Sequence, residues 1–256
     1  MDQAFEAVHH TGNSVGMAKD ESRKPTEWQR IGAELLGTFL LTFVAAGADI
    51  VEKTGGNIGH VARYAAPALL VMAMIWALSA ISGAHINPAV TFVFSLRGSF
   101  PAFRIPSYIL AQLVGAVGAA FLLRALFGGA IGEGITKPSL GYTDAQAVVI
   151  EIMLTFMLTF TIIATGEEEA VVGKNSALAV AGVIALSGFT FSPISGASTN
   201  PARSLGPMIA AGELGCAWIY LVGPLVGGAL AAGCTWLLFG PPRKGEIDAA
   251  HGKHAH

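Results

Sequence analysis

Six apolar segments, each close to the length that crosses a bilayer, limit most strongly how this chain can fold. They are Ile31–Val51, Ala65–Ile81, Ile105–Phe127, Ala145–Thr165, Val171–Phe191 and Cys216–Phe239. A helix needs roughly 20 apolar residues to cross about 30 Å of hydrocarbon. Charged residues make up 12% of the 256 residues, about half the share of roughly 25% in soluble domains. The sequence therefore predicts an all-α membrane protein rather than a soluble enzyme.

The remaining composition excludes several other classes. The net charge is -2 and no basic stripe is present, which argues against nucleic-acid binding as the main role. Two cysteines, Cys216 and Cys234, do not make a disulfide scaffold. Residues 1–29 and 241–256 are polar, and we expect both to be disordered tails. Their histidines are expected to be solvated rather than metal ligands.

The placement of lysine and arginine predicts which way the chain crosses the membrane. With six spans, both tails lie on one side. Ten basic residues fall in the tails and in the second and fourth loops, and four fall on the other side. The ten are Lys19, Arg23, Lys24, Arg30, Arg97, Arg104, Lys174, Arg243, Lys244 and Lys253. The four are Lys53, Arg63, Arg124 and Lys137. Because basic loops stay inside, both tails are expected to be cytoplasmic.

Two further apolar stretches, Pro88–Leu96 and Pro201–Ala210, are only half a span long. They belong to an internal repeat. Residues 34–43 match residues 151–160, the run from Ser82 to Ala89 matches that from Ser195 to Ala202, and Leu113-Val-Gly matches Leu221-Val-Gly. The offsets are 117, 113 and 108 residues.

Each half of the repeat holds three spans, so the second half must enter the membrane from the opposite side. The repeats, about 31–127 and 145–239, are therefore inverted, and the two half-helices are predicted to meet near the midplane. Irregular backbone at that depth is tolerated only where it lines a water-filled cavity or is buried in protein. This geometry predicts a pathway through residues 30–240.

An Asn-Pro pair begins each half-helix. Asparagine is a favoured N-cap and proline a favoured first helical residue. The amides of Asn87 and Asn200 can then donate to a passing oxygen, and the two positive helix ends repel cations. The residues before each asparagine are expected to offer backbone carbonyls as acceptors: Gly83, Ala84, His85, Ile86, Gly196, Ala197, Ser198 and Thr199.

Three charged residues stand in or next to the duplicated motifs of this repeat. Arg203 stands one turn into the second half-helix, where the first has Val90. A charge in a membrane is costly and marks function by default, so we expect Arg203 to donate to the solute and to repel cations. A structural arginine that binds loop carbonyls is the alternative. Glu34 and Glu151 are expected to accept hydrogen bonds from unwound backbone rather than to relay protons.

Three further expectations concern apolar and uncharged positions. Leu41 and Leu158 fall seven residues after the two glutamates, on the same helical faces, and are expected to form apolar pore wall. His85 has no counterpart in the second half and is expected to be buried and hydrogen-bonded. Gly223 and Gly227 form a small-xxx-small face for close helix packing.

Two Asn-Pro-Ala signatures carry a specific resemblance. They comprise Asn87, Pro88 and Ala89 in the first half, and Asn200, Pro201 and Ala202 in the second. Over residues 30–240 the chain resembles the aquaporin, or major intrinsic protein, family, and most of all its nodulin-like and aquaglyceroporin-type members. The resemblance implies six transmembrane helices with two half-helices, a homotetramer with one pore per subunit, passive conduction and no cofactor.

The resemblance also assigns a selectivity filter to Pro67, Gly188, Ala197 and Arg203. Water-selective members typically have an aromatic residue at the first position and histidine at the second, and this chain has neither. Small residues there imply a wide filter that passes glycerol, urea and metalloid acids as well as water. Proline at position 67 could shift the helix so that Ala66 or Ala68 faces the pore instead. Some members carry a mercury-reactive cysteine where this chain has Ala197.

Other readings of the sequence remain open at this point. A water-selective pore is the first alternative to a wide one. A secondary transporter shares inverted repeats and broken helices, and an intramembrane hydrolase would need Ser82 or Ser195 with His85. An adhesive role does not explain Arg203. The expected location is the plasma membrane, or the inner membrane of a bacterium, with lipid and small neutral solutes as the only other partners.

Overall fold

The computed structural model describes residues 24–166 and 175–252, and this part of the chain is helical and without strands. Its α-helices are α1 (Glu27–Val51), α2 (His60–Ser82), α3 (Pro88–Arg97), α4 (Ile105–Phe127), α5 (Asp144–Thr165), α6 (Ser176–Ser195), α7 (Pro201–Ala211), α8 (Ala217–Phe239) and α9 (Lys244–His251). Within the described ranges, six helices are long and apolar enough to cross a membrane. Helices α3 and α7 are the two half-helices.

The predicted fold class is confirmed, and the helix bounds differ from the predicted ones by a few residues. Helix α4 has the predicted bounds, whereas α1 and α2 begin at Glu27 and His60, several residues early. The fifth span begins at Ser176 and continues to Ser195. The start predicted for it at Val171 and the acidic loop residues 167–169 fall outside the described residues.

The repeat extends to the way the helices begin. The side chain of Thr26 accepts from the Gln29 backbone at the start of α1, and the Gln29 side chain accepts from the Thr26 backbone. Thr143 and Gln146 make the same capping box before α5. Such a box satisfies two orphan backbone donors at a helix start. Both copies stand 117 residues apart, the offset of Glu34 and Glu151.

Glycine allows the long helices of each half to pack with their backbones in contact. On α4, Gly115 lies against the carbonyl of Leu35 in α1, and on α8, Gly227 lies against the carbonyl of Ile152 in α5. A β-carbon at either glycine would overlap that carbonyl. Gly223 lies one turn from Gly227 and packs on the Glu151 side chain. The predicted glycine face of α8 thus positions α5, which carries Glu151.

The two termini depart from the expected disorder. Residues Glu27 to Gln29 already belong to α1, so the first predicted boundary, residue 29, lies too late. Residues 244–251 form α9, and the expectation of a disordered C-terminal stretch is wrong for them. Helix α9 is held by packing against the rest of the protein, because Glu246 and Ala250 are almost fully buried.

Candidate functional site

Helices α3 and α7 meet end to end through the two asparagines that begin them. The Asn87 side-chain oxygen accepts from the backbone of Ala89 at 2.9 Å. The Asn200 oxygen accepts from Ala202 at 3.0 Å and from Arg203 at 3.2 Å. With Pro88 and Pro201 as first helical residues, each half-helix has its predicted N-terminal cap.

The amide nitrogens of the same two asparagines connect the halves. Asn87 Nδ2 donates to the carbonyl of Thr199, and Asn200 Nδ2 donates to the carbonyl of Ile86, both at 2.9 Å. An amide NH₂ has two protons, so one holds the opposite loop and the other is available to a solute. The reciprocal pair fixes the distance between the two half-helices.

The loops before the asparagines have an unusual backbone that also repeats. Ala84 and Ile86 in the first loop, and Ala197 and Thr199 in the second, have φ between 42° and 53°. Non-glycine residues adopt this left-handed region at a cost of about 1–3 kcal/mol each. Such strain persists only where the surroundings determine the conformation, and here buried carboxylates do so.

Glu34 and Glu151 hold these strained loops from behind. Glu34 accepts from the Ser82 hydroxyl at 2.7 Å and from the backbone N–H groups of His85 and Ile86 at 2.9 and 2.7 Å. Glu151 accepts in the same way, at 2.7 to 2.9 Å, from the Ser195 hydroxyl and from the backbone of Ser198 and Thr199. Both carboxylates are fully buried, and their contacts fit a structural acceptor.

One cavity runs between the two halves. It is lined by residues from both loops, by both asparagines and by Arg203, and its wall includes Leu41 and Leu158. All the predicted carbonyl residues line it: Gly83, Ala84, His85, Ile86, Gly196, Ala197, Ser198 and Thr199. The prolines and alanines of the two signatures, and both glutamates, lie behind this surface.

Arg203 lies at one end of this cavity, which we call the Arg203 mouth, and it is paired. Its Nη2 lies 2.8 Å from Asp49 Oδ2, and the other oxygen of Asp49 lies 2.5 Å from Nε of Arg63. Arg203 is 6% and Asp49 4% exposed. Arg203 is therefore an ion-paired residue, although its Nη1 has no hydrogen-bond partner among the described residues.

An aromatic ring is also present at the Arg203 mouth. Tyr64 lines the cavity beside Pro67 and Gly188, and it is 8% exposed. A β-carbon on Gly188 would lie 2.6 Å from Cβ and Cγ of Tyr64. The predicted filter residues Pro67, Gly188, Ala197 and Arg203 do line one cavity. The side chain of Tyr64 occupies the space beside Gly188.

Sequence reasoning missed Asp49, Arg63 and Tyr64. Asp49 is a carboxylate inside a predicted span, and that alone marks it as a candidate. Arg63 was counted among the loop charges because the second span was predicted to begin at Ala65. Since α2 begins at His60, Arg63 and Tyr64 lie at the start of that helix and line the cavity.

At its other end, which we call the tail mouth, the cavity is bordered by α9. Arg97 at the end of α3 makes two hydrogen bonds with the Glu246 carboxylate, at 3.1 and 2.8 Å, and both residues are buried. His85 Nε2 donates to the carbonyl of Ala250 at 3.1 Å, so the buried, hydrogen-bonded histidine is present as expected. Ala249 lines the cavity.

The described residues contain no group of three or more His, Cys, Asp or Glu side chains arranged to hold a metal ion. His251 lies in α9, and residues 253–256, with the last two histidines, fall outside the described part. Cys216 and Cys234 are both free thiols. The cavity therefore offers amide and guanidinium donors, backbone carbonyl acceptors and apolar wall.

Comparison with known proteins places this arrangement in a family. Residues 21–234 match the family of major intrinsic proteins. Aquaporin NIP1-4 of Oryza sativa subsp. japonica is 41% identical over 204 residues, covering 80% of this chain and 74% of that protein. Aquaporin NIP1-1 of Zea mays is 40% identical over 205 residues, covering 80% and 72%.

A solved structure supports the same assignment. The aquaglyceroporin from Plasmodium falciparum superimposes with a TM-score of 0.71 at 28% identity, covering 82% of this chain and 96% of that one. The chain belongs to the major intrinsic protein family. It is a multi-pass membrane channel for water and small solutes such as glycerol, and not an enzyme.

Proposed function

We propose that the chain is a passive channel for water and small uncharged solutes that excludes protons and ions. The solutes are polyols and amides such as glycerol and urea, and neutral metalloid acids such as arsenous and boric acid. The observation that carries this proposal is the single cavity in which two asparagine amides face rows of loop carbonyls. Donors and acceptors arranged in this way replace the hydration shell of a neutral solute.

Asn87 and Asn200 act as the donors at the narrow middle of the pathway. Each amide keeps one proton for a solute oxygen while the other holds the opposite loop. The carbonyls of residues 83–86 and 196–199 are the acceptors, and Leu41 and Leu158 supply apolar wall. A solute that carries both hydroxyl donors and acceptors, as glycerol does, can exchange partners along this surface.

Charge exclusion has two sources in this pathway. The N-termini of α3 and α7 converge at the asparagines, and each carries about half a positive charge. Arg203 and Arg63 add two full charges at the Arg203 mouth, of which Asp49 neutralises one. A proton or metal cation therefore meets positive potential at the mouth and at the middle, whereas a neutral solute does not.

Assembly and location are part of the same proposal. The channel is a homotetramer with one pore per subunit, in the plasma membrane or in the inner membrane of a bacterium, with lipid around it and no cofactor. Both tails are cytoplasmic, which makes the Arg203 mouth the external one. The ratio of ten basic residues to four supports this orientation through the positive-inside rule.

A stopped-flow experiment on proteoliposomes tests the proposal. We expect fast shrinkage in a sucrose gradient, and rapid reswelling when glycerol or urea is the osmolyte. Arsenous and boric acid uptake is measured in the same vesicles, with Arg203→Ala as the comparison variant. Fast water flux without uptake of any of these solutes would refute the wide-pore part of the proposal and leave a water-selective channel.

The water-selective alternative has one observation in its favour. Tyr64 fills the space that the absence of a side chain at Gly188 was expected to leave open. A secondary transporter is disfavoured, because each carboxylate in repeat positions already accepts at least three hydrogen bonds from the fold. Proton-dependent, saturable uptake would support it instead.

A further inference from the structure

We propose that Tyr64 is a specificity-determining residue of this channel, with Arg63 as its positioning residue. Tyr64 lies one helical turn before Pro67, the position to which the family pattern assigns the filter. The inference rests on the proposed function and deepens it: the solutes admitted are those that pass beside the Tyr64 ring, namely linear polyols and small neutral acids.

The first observation is the fit between Tyr64 and Gly188. Tyr64 on α2 faces Gly188 on α6, and a β-carbon there would lie 2.6 to 2.7 Å from Cβ, Cγ and Cδ1 of the tyrosine. These atoms are close to the α2 backbone, so a rotation of the ring could not relieve the overlap. The lack of a side chain at Gly188 thus makes room for Tyr64, and α2 and α6 approach closely at these two residues.

The second observation is that Tyr64 is held on two sides. The Arg63 guanidinium carbon lies 5.0 Å from the centre of the Tyr64 ring, within the range of cation–π attraction. The His60 ring packs on it edge to face, with 5.1 Å between centroids. Arg63 is itself fixed by Asp49 at 2.5 Å, so the ring is attached to a charged network that α1 and α7 share.

The third observation concerns Arg203, which lines the same cavity as the Tyr64 ring. Arg203 Nη1 is buried in the cavity wall without a hydrogen-bond partner among the described residues. Its neighbour Nη2 is occupied by Asp49. Arg203 and Tyr64 line the same cavity, so a solute there meets the Arg203 guanidinium and the Tyr64 ring together. A polyol presents hydroxyl oxygens to the first and its carbon chain to the second.

The main test replaces the ring. Tyr64→Ala and Tyr64→Phe are reconstituted in proteoliposomes, and fluxes of water, glycerol, erythritol and xylitol are measured by light scattering. We expect Tyr64→Ala to raise the ratio of xylitol to glycerol permeability about tenfold, about 1.4 kcal/mol in barrier difference. Tyr64→Phe keeps the ratio of the unaltered channel. Phe189→Ala is the matched control, because Phe189 neighbours Gly188 on α6 but does not line the cavity.

Two further variants test the fit and the positioning. Gly188→Ala is expected to lower glycerol flux about tenfold, and Tyr64→Gly in the same chain to restore it, since that pair again leaves one β-carbon between the helices. Arg63→Met leaves the pair of Asp49 and Arg203 in place and is expected to shift the xylitol ratio in the direction of Tyr64→Ala. A merely structural role for Arg63 would change yield but not this ratio.

The outcomes separate this inference from the proposed function. If the unaltered channel passes water but neither glycerol nor larger polyols, the solute class is wrong whatever Tyr64 does. If it passes glycerol and Tyr64→Ala leaves the size ratio unchanged, the inference about Tyr64 fails while the proposed function stands. Water flux and a monodisperse elution profile verify that each variant is folded.

Discussion

The middle of the cavity and its two mouths differ in how strictly they follow the internal repeat. At the middle, the two halves match group by group: asparagine to asparagine, serine to serine and glutamate to glutamate, with distances that agree within about 0.1 Å. At the mouths the match ends. The Arg203 mouth has two arginines that share one carboxylate, whereas the tail mouth has a docked helix.

The difference shows which features the fold requires and which are specific to one side. Opposed half-helices need a carboxylate behind each strained loop, so both halves keep it. Nothing in the fold requires Arg203 on one half-helix and Val90 on the other. The side chains that hold the two loops are also not fully equivalent between the halves. Tyr108 and Tyr220 bond the equivalent carbonyls of Ser82 and Ser195 although they stand at different repeat positions, since Gln112 occupies the place of Tyr220.

The largest expected effect comes from removing a carboxylate at the symmetric middle. Glu34→Ala leaves the buried donors of Ser82, His85 and Ile86 without an acceptor. The amide of Gln112 loses one of its two acceptors and keeps Thr91. Each such group costs about 1–3 kcal/mol, so we expect folded protein to be lost. Glu151→Ala should do the same.

Yield and thermal aggregation of the detergent-extracted protein measure this effect. Glu133→Ala removes a half-exposed carboxylate and serves as the control that should behave as the unaltered chain. If one of the two buried glutamates were dispensable while the other was essential, the equivalence of the two halves at the midplane would be disproved.

The second effect tests the asymmetry of the half-helices. Arg203→Val places at α7 the residue that α3 has in the same position, and leaves Asp49 paired with Arg63 alone. One positive charge is lost from the Arg203 mouth, so we expect cation leak to rise about tenfold, equivalent to about 1.4 kcal/mol. Thermal stability should also fall, but by less than the roughly 3–5 kcal/mol that leaving a buried charge without any partner costs, because Arg63 still pairs with Asp49.

Sodium and proton fluxes in dye-loaded proteoliposomes provide the measurement for Arg203→Val. Arg124→Val is the control, because Arg124 binds the carbonyl of Ala210 near this mouth without lining the cavity. Unchanged ion exclusion in Arg203→Val would mean that the convergent helix ends suffice without a charged side chain.

The third effect concerns the tail mouth. Glu246→Ala removes the carboxylate that binds Arg97 and Ser99, and leaves a buried arginine without its counter-ion. The expected cost of about 3–5 kcal/mol exceeds what an eight-residue helix can supply by itself. We therefore expect α9 to detach, trypsin to cleave faster at Arg243 and Lys244, and water permeability to rise as Ala249 leaves the cavity wall.

Asp248→Ala, which removes the same charge from the same helix, is the control for this variant. Rapid proteolysis with unchanged permeability would show that α9 covers the tail mouth without restricting flux. Resistance to trypsin in Glu246→Ala would show that the contacts of His85 and Arg30 with the α9 backbone hold the helix alone.

The repeat explains why the middle of the site was predictable from sequence. Hydropathy located the six spans, and the paired Asn-Pro signatures located the half-helices. Both are local sequence patterns, and each has a known physical cause. Glu34 and Glu151 followed from their equal positions in the two halves. Most predicted residues that line the cavity are duplicated by the repeat or, like Arg203, stand within one turn of a duplicated residue, and Pro67 and Gly188 are the exceptions.

The mouths were less predictable because their contacts join distant parts of the chain. Asp49 and Arg203 are 154 residues apart and Arg97 and Glu246 are 149 apart, and neither pair has a copy in the other half. Tyr64 was missed because the family resemblance assigns the filter to Pro67, and the close fit between Tyr64 and Gly188 exists only once α2 and α6 are packed together. Helix α9 has a polar sequence that hydropathy cannot distinguish from a tail.

The smallest expected effect distinguishes the cavity wall from its surroundings. Cys216 does not line the cavity, and its thiol is directed to the carbonyl of Thr136 at 3.6 Å. Burial raises the pKa of the Cys216 thiol, so less of the reactive thiolate is present at neutral pH. Mercurials should therefore reduce water flux little, by less than about twofold.

Ala197→Cys places a thiol on the cavity wall and should make the channel strongly mercury-sensitive. Strong inhibition of the unaltered channel that disappears in Cys216→Ser would mean that this thiol controls the pathway from behind the Arg203 mouth.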